Sequence, residues 1–323
     1  MNEVMAEPGA LAEYDNRDAF AAELIELARE DERVVVVCND SIGSSKLGAF
    51  QKEFPERLIN VGIAEQNLVG VGAGLANGGM IPFVSGAAPF LTGRATEQVK
   101  ADLAYSQYPV VLCGQSPGMA YGELGPTHHS VEDISWLRAL PGLDIVVPAD
   151  RAETRQALRL AAAAQHPTFV RVGRFKVPDV NPEGARLERG RWTTLRDGND
   201  VAIFAMGTMV SRALQAADAL AQTGVAARVV NAAYIAPLDT EVIKDAVGSV
   251  RAIVTAEEAN VAGGLGAAVA STVVQLPGNK VPMRILGVRD EFAPTGNTAF
   301  LLEYFGLTSK HIADAAREAL RNG

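Results

Sequence analysis

The chain has 323 residues, 48% hydrophobic and 21% charged, with 31 glycines and 16 prolines; that length exceeds one hydrophobic core, and that balance excludes a disordered chain. A formal net charge of -9, from 38 acidic against 29 basic residues, excludes a general nucleic-acid-binding surface and leaves room only for a local basic pocket. No uninterrupted apolar run of about 18 residues occurs, nor a basic stretch ahead of an apolar one, so the chain reads as cytoplasmic, without a membrane span or secretory leader.

Residues 1–15 read as a lead-in, and Asn16 as the cap of a helix from Arg17 to Arg29 with Phe20, Leu24 and Leu27 along one face. Arg33–Cys38 is a continuous β-branched run, as expected of a central parallel strand covered on both sides. The segment NDSIGSS, 39–45, then falls where open α/β sheets bind ligands, and Ser44 and Ser45 are candidate caps for a short helix toward Phe54. Leu58–Val61 reads as a short buried strand, Gly62 as a tight exit, and Ala64–Ala76 as a Gly- and Ala-rich helix carrying Glu65 in its first turn. A carboxylate there is favoured by the free backbone N–H groups. It gains chemistry only by entering an apolar cleft, where it can share a proton with a ligand nitrogen. On the residues alone, both roles stay open.

Ile81–Val84 is the next strand; Ser85–Arg94 turns into a helix ending near Tyr105, and Pro109–Cys113 is a further strand. The Gly-rich loop GQSPGMAYGELGPTHHSVEDI, 114–134, holds adjacent His128 and His129, placed either for proton transfer or for hydrogen bonding within the loop. Leu143–Val147 reads as a strand, Arg151–Gln165 as a helix opened by Pro148-Ala149-Asp150, and Thr168–Arg171 as the last strand of this half. Residues 174–199 look like a linker with an edge hairpin. A second rhythm follows, with strands at Val201–Ala205, Ala226–Ala232, Ala252–Glu257 and Val281–Val288. Its helices are Val210–Thr223, Leu238–Ala246, one starting at Gly263, and Thr308–Leu320 with Thr308 as cap. The alternation predicts an α/β protein of two successive parallel-sheet domains, 15–185 and 190–323.

Several chemistries are excluded by spacing. Gly70, Gly72 and Gly74 fall inside the Glu65 helix, and Gly263, Gly264 and Gly266 lack the full dinucleotide fingerprint. Neither a G-x-S-x-G elbow nor an H-E-x-x-H helix occurs. Cys38 and Cys113 read as buried, reduced thiols. If the sheet is parallel, the loops after its strands converge on one edge and bring Glu65, Phe90 and His128 near each other, along with Arg17. An acid, an aromatic face and an imidazole suit a flat heteroaromatic cofactor.

The stretches NVGIAEQNLVGVGAGLANGG (60–79), GELGPTHHSVEDISWLRALPGLDIVVPAD (122–150), FVRVGR (169–174), IVTAEE (253–258) and GGLG (263–266) resemble, in order, the C-terminal half of transketolase and related thiamine-diphosphate enzymes. The resemblance implies a pyrimidine-binding domain followed by a transketolase C-terminal domain, with thiamine diphosphate as cofactor. Glu65 would share a proton with the cofactor's pyrimidine, Phe90 would stack on that ring with Ile63 beside it, and His128 would meet substrate oxygens. Arg17, Ser44 and Arg174 match residues that hold a sugar phosphate. Ala87 and Gly93 stand where the family carries further aromatics, so Tyr105, Tyr121 or a partner residue would have to complete the wall. Ser116 and Leu124 replace a sugar-contacting histidine and aspartate. A buried leucine leaves a sugar hydroxyl unpaired, which implies a modified or less common ketose.

The family's GDG…N stretch, which holds the diphosphate and metal, is not found in the sequence. The resemblance therefore implies a split enzyme in an α2β2 assembly, no metal being expected on this chain. A separate N-terminal subunit would carry that motif and bind Mg²⁺ or a similar divalent ion. The implied activity is transfer of a two-carbon ketol unit from a phosphorylated or otherwise anionic ketose to an aldose. The alternatives are a 2-oxo-acid-using enzyme, of the deoxyxylulose-phosphate-synthase or E1 β type, and a non-catalytic regulatory or assembly subunit.

Overall fold

The computed structural model describes residues 12–278 and 281–321; most of the expected lead-in, 1–11, lies outside the described residues. What remains of that segment is ordered into a strand, β1 (Glu13–Asp15). The cap of α1 (Asn16–Glu30) is Asp15 rather than Asn16: its carboxylate accepts from the Arg17 N–H at 2.9 Å. β2 (Val34–Cys38) is buried along its whole length, as its β-branched run requires. α2 (Gly48–Glu53) is entered from Leu47 without a side-chain cap, because the Ser44 hydroxyl is turned back to the Ser41 carbonyl. β3 (Leu58–Asn60) is half-buried rather than buried, since it forms the edge of its sheet. Gly62, at φ +72, turns the chain into α3 (Glu65–Asn77).

β4 (Ile81–Ala87) runs past Val84, and the single helix expected after it is broken into α4 (Ala88–Gly93), α5 (Thr96–Gln98) and a π-helical stretch, Val99–Tyr105. β5 (Val111–Gln115), α6 (Asp133–Arg138), β6 (Asp144–Val146), α7 (Arg151–Ala163) and β7 (Thr168–Val172) follow, with Asp150 capping α7. The expected edge hairpin does not form: β8 (Lys176–Pro178) pairs antiparallel with β1, while β9 (Thr193–Arg196) joins a different sheet. The second half runs β10 (Val201–Ala205), α8 (Met209–Ala221), β11 (Ala227–Asn231), β12 (Tyr234–Ala236), α9 (Thr240–Ser249) and β13 (Ala252–Asn260). It ends with α10 (Leu265–Gln275), β14 (Met283–Val288), α11 (Thr298–Tyr304) and α12 (Ser309–Arg321).

Two α/β units result. The seven-stranded sheet has the order β12-β6-β7-β5-β4-β2-β3 and the five-stranded one β14-β13-β10-β11-β9. Both are parallel except for one antiparallel edge strand each, β12 and β9. β12 is a loan across the halves: it follows β11 in the chain yet pairs with β6.

Buried charge ties the units together. The Arg171 guanidinium donates to Asp133 at 2.8 Å and to the carbonyls of Ser130 and Glu258 at 3.0 Å. Glu258 in turn accepts from the Met119 N–H at 2.7 Å and the Thr208 hydroxyl at 2.8 Å. Glu153 accepts from the Ala149 N–H and from Asn231 across the boundary, and burial pushes its carboxyl up to about 7. Glu257, likewise raised by burial to about 7, takes the N–H groups of Leu265 and Gly266 at the start of α10. A Cβ at Gly264 would collide with that carboxylate, which explains the glycine. Cys38 and Cys113 are free and buried, and burial raises the Cys38 thiol to about 11.

Candidate functional site

Because β2, β4 and β5 are parallel neighbours, the loops beyond their carboxyl ends reach one edge of the sheet. Glu65 opens α3 there and is only 3% exposed. Its Oε1 accepts from the Asn39 side-chain amide at 3.1 Å, and its Oε2 from the Arg94 guanidinium at 3.1 Å. Burial alone pushes this carboxyl up, but Asn39, its own backbone N–H and Arg94 together outweigh that and hold it below the usual value. In this arrangement both Glu65 oxygens are held by polar partners, which favours the ionised form over the proton-sharing one.

Phe90, in α4, lies edge-on to the His128 ring with centroids 5.1 Å apart, and the Arg94 guanidinium carbon stands 4.1 Å above its centroid. The Thr127 hydroxyl meets His128 Nδ1 at 3.0 Å. Tyr121 also meets the His128 ring edge-on, at 6.1 Å, whereas Tyr105 is exposed at the end of the π-helical stretch. Ile63, 73% exposed, borders a cavity of about 300 Å³ with Glu65, Gln66 and Arg94. At Gly93 a Cβ would press on the Trp136 ring at 3.0 Å, so Trp136 already fills the space beside that position. His129 is buried against the Gly122 carbonyl, and burial lowers its pKa.

The expected anion-holding residues divide. Arg17 donates to both Asp15 oxygens, at 3.1 and 2.6 Å, and to the Ser44 carbonyl at 2.8 Å, so it meets Ser44 but with its guanidinium engaged. Arg174 makes a looser contact, 5.0 Å above the Tyr121 ring, and faces a cavity of about 440 Å³ lined also by Leu124, Asn297 and Thr298. Leu124 is 55% exposed rather than buried, so the penalty it was expected to impose on a sugar hydroxyl requires something to cover it. Ser116 is fully buried at φ +55, and its hydroxyl has no partner among the described residues.

Sequence reasoning missed Asn39, Arg94 and the second-unit residues Asn297 and Thr298. Asn39 heads the NDSIGSS loop already placed at the ligand-binding end of its strand, and Arg94 lies at i+4 from Phe90, so both had a local signal. Asn297 and Thr298 had none. Among the described residues no group of three or more His, Cys, Asp or Glu side chains is arranged to hold a metal ion, and no helix is long and apolar enough to cross a membrane.

The family described as "Transketolase, pyrimidine binding domain" matches residues 12–179, and "Transketolase, C-terminal domain" matches residues 190–312. An apulose-4-phosphate transketolase subunit of Phocaeicola vulgatus is 44% identical over 306 residues, which cover 94% of this chain and 97% of that protein. The 6-deoxy-6-sulfo-D-fructose transketolase subunit SqwH of Clostridium sp. (strain MSTE9) is 39% identical over 308 residues, 95% of each chain. A solved split gene transketolase, described as an inactive beta4 tetramer, superposes with a TM-score of 0.87 at 39% identity, covering 96% of this chain and 99% of that one. The chain therefore belongs to the transketolase family, carrying its pyrimidine-binding and C-terminal domains.

Proposed function

We propose that this protein is the catalytic, pyrimidine-holding subunit of a two-component transketolase, moving a two-carbon ketol unit from an anionic ketose to an aldose. The observation that carries this reading is the grouping of a nearly buried carboxylate, Glu65, with the Phe90 face and the His128 imidazole at the ligand-binding end of a parallel sheet. Relatives named as transketolase subunits match it almost end to end, which supports a separate partner.

The residues present fit a flat nitrogen heterocycle. The planar Arg94 group stands on Phe90 while donating to Glu65, and a pyrimidine ring would use the same ring face and the same carboxyl, its nitrogen accepting from Glu65. Thiamine diphosphate, when bound, supplies the carbon nucleophile and electron sink that C–C cleavage needs. Glu65 would hold a proton at the ring nitrogen through Oε2, its Oε1 being fixed by Asn39. Phe90 and Ile63 present apolar surface to it. His128 has its Nδ1 engaged by Thr127 and keeps Nε2 for a substrate oxygen. Arg174 takes the anionic tail in bidentate fashion; Arg17 and Ser44 join it only if Asp15 yields the Arg17 guanidinium. Ser116 and Leu124 shape the sugar end.

The partner subunit carries the GDG…N motif, the diphosphate and Mg²⁺ or a similar divalent ion, in an α2β2 assembly in the cytoplasm. Co-expression with that partner and turnover of phosphorylated ketoses against pyruvate tests the reading. Ketose-dependent transfer is the expected result. Preferred decarboxylation of pyruvate overturns the sugar assignment, and cofactor-loaded complex that turns over neither overturns the catalytic one.

A further inference from the structure

Arg94 touches both surfaces that the proposed function gives to the cofactor ring. Its NH1 lies 3.1 Å from Glu65 Oε2, and its guanidinium carbon 4.1 Å above the Phe90 centroid. The arrangement follows from local structure. Arg94 is the residue after α4, one turn beyond Phe90, and a helical side chain folds back over the turn that precedes it. A guanidinium is flat and donates in its own plane, so it can stack on an aromatic face while its edge meets a carboxylate. An aminopyrimidine is flat too, and its ring nitrogen would meet the same carboxyl oxygen edge-on, accepting a proton where the guanidinium donates one. One ring face and one carboxylate oxygen cannot serve both.

We propose that Arg94 is an internal occupant of the pyrimidine site, which holds Glu65 and Phe90 in register without cofactor and which the cofactor must displace from both. The inference rests on the reading of Glu65 and Phe90 given above and adds a competitor to it. Arg94 has room to leave: its side chain is 50% exposed and borders the cavity of about 300 Å³ shared with Ile63 and Gln66. Its departure also changes Glu65. Asn39 stays, the neighbouring positive charge goes, and burial then meets less opposition, so the carboxyl moves toward the protonated form that a ring nitrogen requires. In the absence of cofactor the same arginine keeps a buried carboxylate from standing unpaired. Arg94 acts through Glu65 and Phe90 and is a positioning residue.

The test is calorimetric binding of thiamine diphosphate to the assembled two-subunit complex carrying the wild-type chain, Arg94→Met or Arg94→Lys. Methionine keeps an apolar stem and removes both contacts, so affinity should rise about fivefold, the worth of a half-exposed ion pair plus a cation–π contact. Lysine keeps the ion pair but loses the flat stack, and should fall between methionine and wild type. The rise in melting temperature on adding cofactor should follow the same order. Unchanged or weaker binding by Arg94→Met, with the wild-type complex binding normally, overturns the inference and leaves the functional reading standing. Should the methionine variant fail to fold, Arg94→Lys decides: tighter than wild type supports the proposal, equal or weaker overturns it. A wild-type complex that binds no cofactor overturns both.

Discussion

Glu65 is asked to be two things, an ionised partner for Arg94 and Asn39 and, with cofactor, a proton holder. Glu65→Gln separates them, because the amide keeps the shape and a bond to Asn39 but exchanges no proton. Turnover of the complex should fall by about 10²- to 10⁴-fold while cofactor stays bound, as steady-state kinetics alongside binding would show. Near-normal turnover would remove Glu65 from the chemistry. Glu153 gives a second prediction at this scale. Its folded-state pKa is raised by burial to about 7, above the ordinary value of 4.5. It therefore stabilises fully below about pH 4.5, and that contribution is lost as pH rises through about 7. Thermal melts should show Glu153→Gln flattening the decline in stability between about pH 4.5 and 7; an unchanged slope would contradict the assignment. The grouping of Glu65, Phe90 and His128 was legible because strand-end loops of a parallel sheet must converge. The engagement of Arg17 by Asp15 was not, since it depends on which way one side chain turns at a helix start.

At the scale of elements, α3 shows why a glycine-rich helix is not uniform. A Cβ at Gly72 would collide with Val84 of β4, whereas Gly74 has nothing within 4 Å. Gly72→Val should cost about 1–3 kcal/mol through overpacking. Gly74→Ala should stabilise by about 0.5–1 kcal/mol, because alanine loses less conformational freedom in a helix. Urea unfolding of the isolated chain measures both, and equal effects of either sign would refute the packing argument. Interior strands such as β2 and β10 were legible in sequence as unbroken β-branched or apolar runs. β1, β12 and α11 were not: segments of three, three and seven residues are too short to display a period. The change of helix type after α5 was also hidden, because no proline or glycine marks where it gives way to a π-helical turn.

At the scale of the whole molecule, the two units are joined by buried polar networks more than by a flexible linker. Arg171 is 5% exposed and satisfies Asp133, Ser130 and Glu258 at once. Arg171→Met would leave the fully buried Asp133 without its counter-charge, at a cost of about 3–5 kcal/mol. Urea melts followed by tryptophan fluorescence and by circular dichroism should shift together. Separate transitions in the wild-type chain would show that the units do not unfold as one. Composition and length led to two domains, but the coupling between them was invisible until Arg171 and Glu258 were seen to meet.

The loan of β12 to the first sheet has a practical corollary. β6 is finished by a backbone segment that arrives only after β11 has been laid down in the other sheet. A chimera spliced in the stretch between β8 and β9 would graft a foreign seam onto β6. If the donor's segment failed to match, a bare row of N–H and C=O groups would be left for neighbouring molecules to zip onto. Recombining these domains among relatives thus means transplanting Tyr234–Ala236 with the first domain, even though the chain order assigns that tripeptide to the second.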